Sequence, residues 1–299
     1  MDKILKLGII IALVITLLLG VMVLTTYSEP GIIYFEVGNG GSLLSIGDFS
    51  AVPPLVAENA TALAMELFGD YQEKSENFVN QLLGTYLGAK DKDFVLVFNS
   101  GGWGWTSLEK SLGWCSIFTG IESQLDDLGY TTLLLNYQRT GDGLKNCLNE
   151  VVEMTTGYSL KAKALAQRIE FLTDNIPNLK VVIAGESNGT VICDTTMEVL
   201  ADNPQVYSIQ TGPPFWYTNT ILDRTLVVAD NGITPDSFSR GDLLTLAGAN
   251  LRVLFGLSQS EDDSGTTLHY VRAPGHDYWW QYPGVSSEIT NFLEQNFGF

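Results

Sequence analysis

Histidine is scarce in this chain: its 299 residues include only two, His269 and His276. Cysteine is nearly as rare, at Cys115, Cys147 and Cys193. An odd number with no C-x-x-C spacing argues against a disulfide framework and against a structural zinc. A Cys115–Cys147 bridge stays open, and Cys193 reads as a small buried apolar residue. Positive charge is also short, with 16 Lys+Arg against 34 Asp+Glu and a net charge of −18. A basic patch for nucleic acid or for anionic lipid headgroups is therefore not expected. No Walker A and no H-E-x-x-H motif occurs, and nothing repeats at a period of about 20–50 residues. These absences remove the usual phosphate-loop, zinc-peptidase and repeat-protein readings. No metal or organic cofactor is implied.

Apolar residues are plentiful. They make up 45% of the chain, enough for a sizeable core in one domain with an appendage. The first apolar stretch, residues 7–24, is uncharged and follows Lys3 and Lys6. It exceeds the roughly 7–15 residues of a cleaved signal core, and Leu24-Thr25-Thr26-Tyr27 is a poor cleavage site. Its length approaches the about 20 residues that span a bilayer. The expectation is a single-pass anchor within residues 1–27, amino terminus cytoplasmic and body outside; secretion after signal cleavage is the alternative.

Residues 28–92 form a second unit. Two short strands, Ile32–Val37 and Leu43–Ile46, read around a glycine turn. From Pro53 to Lys90 the spacing of Leu63/Leu67 and Phe78/Leu82/Tyr86 predicts helix, broken near Gly69-Asp70. This stretch is expected to be a stalk or a packing appendage. Asn59-Ala60-Thr61 is a glycosylation sequon, meaningful only if the body is exported.

From residue 93 strands alternate with helices. Strands are predicted at Phe94–Phe98, Thr131–Leu135, Val181–Ala184, Val206–Ile209, Leu226–Ala229 and Leu268–Val271. Short Val/Leu/Ile runs between helices predict an α/β fold with a mostly parallel sheet flanked by helices.

The most informative stretch is Val181–Ile192. Four apolar residues run into Gly185-Glu186-Ser187-Asn188-Gly189, and a helix-compatible run follows. This is G-x-S-x-G between strand and helix, where a serine is lifted on a tight turn and glycines remove backbone collisions. The Asn188 N–H and the positive end of the following helix then lie where an oxyanion would form beside Ser187. A serine hydroxyl needs a base near neutral pH. His269 falls inside an expected strand, whereas His276 follows Ala273-Pro274-Gly275 on a loop, so His276 is the expected base.

With these motifs, residues 93–299 resemble the serine hydrolases of the α/β-hydrolase superfamily (esterase, lipase and thioesterase-like). The resemblance implies an elbow serine after the fifth strand, an acid after a later strand and a histidine after the last. It places Ser187 as nucleophile, His276 as base and Asp236 as acid, with Asp230 at the strand tip as the alternative acid. Asn99-Ser100-Gly101-Gly102-Trp103-Gly104-Trp105 corresponds to the loop giving the second oxyanion-hole amide, from Gly102 or Trp103. The family's usual histidine before those glycines is absent, so the match there is partial. The implied activity is cleavage of a carboxylic ester or thioester, on a small acyl or ester substrate. The alternatives are an acyltransferase using the same site and a non-catalytic, membrane-tethered binding protein that keeps the fold. Aromatics gather near the same loops: Trp103 and Trp105; Phe215, Trp216 and Tyr217; Tyr278, Trp279, Trp280 and Tyr282. They suggest an apolar pocket.

Overall fold

Alternation along one strand shows how the molecule is layered. In a computed structural model of the chain, strand β2 (Phe94–Asn99) is buried at every position. Val95 and Val97 join one hydrophobic cluster, and Phe94, Leu96 and Phe98 join another. Successive strand side chains point to opposite faces, so a strand buried at every position has helices on both sides. The structure describes residues 32–35, 48–141, 144–155, 157–218, 220, 222–255, 266–267 and 271–298.

Among the described residues the main sheet has six strands: β1 (Ile32–Phe35), β2, β3 (Thr132–Gln138), β4 (Lys180–Glu186), β5 (Val206–Thr211) and β6 (Thr225–Val228). Their order is β1-β3-β2-β4-β5-β6. β1 lies antiparallel on β3, with Ile32 opposite Gln138, and every other pairing is parallel. The fold is thus α/β with a mostly parallel sheet between helices. Of the leading pair of strands expected from sequence, Ile32–Phe35 is this antiparallel edge; Leu43–Ile46 lies outside the described residues. So does the apolar run 7–24. Among the described residues no helix is long and apolar enough to cross a membrane.

Helices α1 (Pro54–Phe68) and α2 (Gln72–Ala89) break at Gly69, where φ is +54°. Pro54 opens α1, where its missing N–H costs no hydrogen bond. Of the stalk or packing appendage expected here, the described helices are the packed alternative. Val56, Ala60, Phe78 and Leu82 share a core with Val95, Val181 and Ile183 of the sheet. Helices α5 (Ser159–Asn175) and α6 (Asn188–Val199) complete this layer, and the Arg168 guanidinium stacks 4.4 Å over Phe78. The apolar faces of α1 and α2 leave water by packing on each other, on Ser159–Asn175 and into the core they share with the sheet. On the other face, α3 (Leu112–Asp127) and α8 (Pro283–Phe297) cover Phe94, Leu96, Phe98 and Val182 through Trp114, Ile117, Ile289 and Leu293.

Of the expected strand Leu268–Val271, residues 268–270 lie outside the described residues, His269 among them. Val271 is paired antiparallel with Thr267, in a separate two-stranded ladder of β7 (Thr266–Thr267) and β8 (Val271–Arg272).

Candidate active site

The carboxyl ends of the parallel strands carry the loops that matter, as open α/β sheets generally arrange. β4 ends at Glu186, and Ser187 stands before the first residue of α6 with φ 50° and ψ −120°. That backbone is rare for a residue with a side chain and costs about 1–3 kcal/mol. It persists because its surroundings hold it. The Ser187 N–H donates to Thr211 O at 3.0 Å, and Ser187 O accepts from the Thr190 N–H and hydroxyl at 2.9 and 2.7 Å. The flanking glycines are required sterically. A Cβ on Gly185 would stand 2.7 Å from Gly189 O, and one on Gly189 would strike Asn99 O. The elbow strand is the fourth of the described strands.

Asp236 and His276 are brought together from separate loops. Nδ1 of His276 lies 2.8 Å from Oδ2 of Asp236, with side-chain exposures of 4% and 0%. The carboxylate also accepts from the Phe238 N–H (2.8 Å), the Ser239 N–H (3.0 Å), the Ser239 hydroxyl (2.8 Å) and the Tyr278 hydroxyl (2.7 Å). Burial pushes this carboxyl up. The His276 hydrogen bond and charge, with the Ser239 amide and the Tyr278 hydroxyl, outweigh that and hold it at about 2. An ionised carboxylate only accepts, so Nδ1 of His276 is the donor in this bond and Nε2 is the nitrogen turned to other work. Burial, then the Asp236 charge, drives the Tyr278 hydroxyl up, so Tyr278 stays a neutral donor.

The two loops are tied backbone to backbone. Ser237 N–H and hydroxyl both donate to Pro274 O, at 2.9 and 2.8 Å. Buried Asn231 donates to Gly275 O and Asp277 O at 3.2 and 3.0 Å. Asp230 is elsewhere: it accepts from the Gly232 N–H at 2.9 Å and pairs with exposed Arg240 at 2.7 Å. Asp236, not Asp230, faces the histidine.

Thr211-Gly212 links the nucleophile side to the base side. Thr211 O receives the Ser187 N–H, and a Cβ on Gly212 would lie 2.8 Å from His276 Cε1. Among the described residues the buried Ser187 Oγ has no hydrogen-bond partner, so this structure contains no Ser187–His276 bond. Such bonds often tighten only when substrate is bound.

Above Ser187 lies the loop after β2. Gly101 packs against it, and a Cβ there would sit 3.2 Å from Ser187 Cβ. The Asn188 side chain donates to Gly102 O at 3.2 Å. The backbone N–H groups of Gly102, Trp103 and Asn188 donate to no group among the described residues, which leaves them available to an anion.

The aromatics divide among four places. Trp103 and Trp105 stack 6.2 Å apart on the glycine loop. Phe238 lies 4.7 Å from the His276 ring, followed by Trp216 and then Phe215, both partly exposed. Tyr217 instead bonds Asp194 at 2.8 Å, while Trp280 and Tyr282 pack on the core. The three cysteines are free, so no Cys115–Cys147 bridge forms. Among the described residues no cluster could hold a metal.

Sequence reasoning missed Ser239, and it read Tyr278 as a pocket aromatic rather than as a donor to Asp236. Asp236-Ser-Phe-Ser239 does carry a local signal, since Asp commonly caps amides two and three residues on.

No protein-family model matches the sequence, and no curated protein sequence matches it. Among solved structures the fold is similar to that of Trichoderma reesei cutinase in complex with a C11Y4 phosphonate inhibitor. The identity is 17% over 62% of this chain and 76% of that chain, with a TM-score of 0.31.

Proposed function

We propose that this chain is a serine hydrolase that cleaves a carboxylic ester or thioester. The observation that carries the reading is the buried Asp236–His276 pair, set across Thr211-Gly212 from a serine held in a strained strand-to-helix turn. Ser187 Oγ attacks the carbonyl carbon, and His276 Nε2 takes its proton. The resulting oxyanion is held by the Asn188 N–H and the N–H of Gly102 or Trp103. Collapse expels the alcohol or thiol, which takes the proton from His276 and leaves an acyl group on Ser187. Water, deprotonated by the same imidazole, releases the acid and restores the serine. Asp236 fixes the tautomer and stabilises the imidazolium. An acceptor other than water would make the same site an acyltransferase.

The rival reading, a non-catalytic binding protein with this fold, draws on one observation: Ser187 Oγ makes no hydrogen bond. Strain at Ser187 and five hydrogen-bond contacts on one buried carboxylate count against it, because binding alone requires neither. We place the body outside the cytoplasm, tethered by residues 7–24, on the sequence pattern alone.

A fluorophosphonate probe decides between enzyme and binder. Wild type is expected to become labelled and Ser187→Ala not; folded wild type that stays unlabelled overturns the enzyme. Applied to intact cells, the probe should label protein that added protease removes and carbonate washing does not. A labelled soluble product starting near Ser28 would show a cleaved signal instead.

A further inference from the structure

Beneath the glycine loop lies a buried charged cluster that the catalytic scheme does not use. Arg139, one residue past β3, is 2% exposed. Its Nε pairs with Glu150 Oε1 at 2.6 Å, its Nη1 donates to Ser100 O, and its Nη2 donates to Gly102 O at 2.9 Å. Glu150, from helix α4 (Leu144–Thr155), is held in turn by Lys161 at 2.8 Å, and Lys161 also meets Glu153 at 3.0 Å. Two cations and two carboxylates therefore balance. Burial alone would weaken the Arg139 charge; Glu150 and Tyr158 together more than offset it and keep the guanidinium protonated. The Arg139 N–H further donates to Gly104 O at 3.1 Å, and any Cβ on Gly104 would collide with the guanidinium.

Balanced burial explains why the cluster is tolerated but not why it ends on these two carbonyls. In a trans peptide the C=O and the next N–H point in opposite directions. Fixing Ser100 O and Gly102 O on Arg139 therefore turns the Gly101 and Trp103 N–H groups away from it. A loop with three glycines in four residues, 101–104, has peptides that flip at little steric cost. A flipped peptide would present a carbonyl oxygen to a developing oxyanion and repel it. A planar fork with fixed donors can hold two carbonyls and a carboxylate together, which a point-charge ammonium cannot.

We propose that Arg139 is the positioning residue of the oxyanion loop, holding its carbonyls down so that amides face Ser187; this rests on the hydrolase reading above. Arg139 touches neither substrate nor reacting atoms and acts through Ser100 and Gly102.

The test uses Arg139→Met and Arg139→Lys in the full chain, with kcat and KM on a p-nitrophenyl ester and melting temperature for each. It adds the affinity for a trifluoromethyl ketone, whose serine adduct carries an oxyanion. Removing an oxyanion-hole donor costs about 10²–10³ in kcat, so Arg139→Met should lose roughly 10²-fold in kcat with KM within about threefold. Arg139→Lys keeps a cation on Glu150 but cannot span both carbonyls, and should fall between, at roughly 10-fold. Ketone affinity should fall with kcat/KM, which a purely structural residue in a folded variant would not cause. If Arg139→Met does not fold, Arg139→Lys decides alone. Folded variants with kcat within about twofold of wild type overturn the role of Arg139. Wild type inert to both ester and fluorophosphonate overturns the hydrolase reading, and this role with it.

Discussion

His276 and Asp236 share a 2.8 Å hydrogen bond although forty residues separate them. The carboxylate is fully buried, and Phe238, two residues beyond it, lies 4.7 Å from the imidazole ring. One short segment thus supplies both the acid that orients the ring and an aromatic wall that limits its movement.

The choice between the two candidate acids follows from that geometry. Asp236→Asn should lower kcat by up to about 10⁴ with little change in KM, because an amide holds the imidazole in the wrong tautomer. Asp230→Asn removes only an exposed pair with Arg240 and a turn contact. Its kcat should stay within about tenfold of wild type, a barrier change near 1.4 kcal/mol. Steady-state kinetics and melting curves of both variants check this; the reverse pattern in folded protein would move the acid to Asp230.

The same pair sets an acid limit on stability. Asp236 is held at about 2 in the folded chain, against an ordinary value of 3.8. The unfolded chain therefore takes up this proton first as pH falls. The pair's contribution is complete above about pH 4 and is lost toward pH 2. At about 1.4 kcal/mol per pH unit this amounts to roughly 2 kcal/mol. Melting temperatures of wild type and Asp236→Asn between about pH 5 and 2 should converge as acid removes the advantage. Curves that stay parallel would show that Asp236 is not depressed.

Much of this architecture is legible in the sequence, and the rest is hidden for identifiable reasons. Phe94–Phe98 and Val181–Ala184 read as strands because burial on both faces leaves no polar alternation to confuse with helix. Ser187 reads as an elbow because Gly185 and Gly189 are sterically compelled. The helices over residues 54–89 show an apolar stripe but not what covers it, which is a core shared with Ser159–Asn175 and the sheet. The segment before His276 shows apolar residues but not their partner, which for Val271 is Thr267. Arg139 is the clearest hidden case. Its partners Ser100, Gly102 and Glu150 lie 39, 37 and 11 residues away, so no local spacing announces that an arginine will be buried there.

Strain at the nucleophile should be measurable as stability once catalysis is removed. Ser187 sits at φ 50° and ψ −120°, a region that glycine enters freely and residues with a Cβ avoid. Its hydroxyl is buried without a hydrogen-bond partner among the described residues, so deleting it breaks no bond in the folded chain. Ser187→Ala keeps the Cβ and hence the strain; Ser187→Gly removes both. Relief of about 1–3 kcal/mol is offset by the extra freedom of glycine in the unfolded chain, about 0.4–1 kcal/mol. The glycine variant should therefore be more stable than the alanine variant by roughly 1 kcal/mol, a rise of about 2–4 °C in Tm. Both should be inert to ester and fluorophosphonate. Denaturant melts of the two proteins settle it: a glycine variant less stable than the alanine variant would mean that the turn at Ser187 is relaxed, with no strain stored for catalysis.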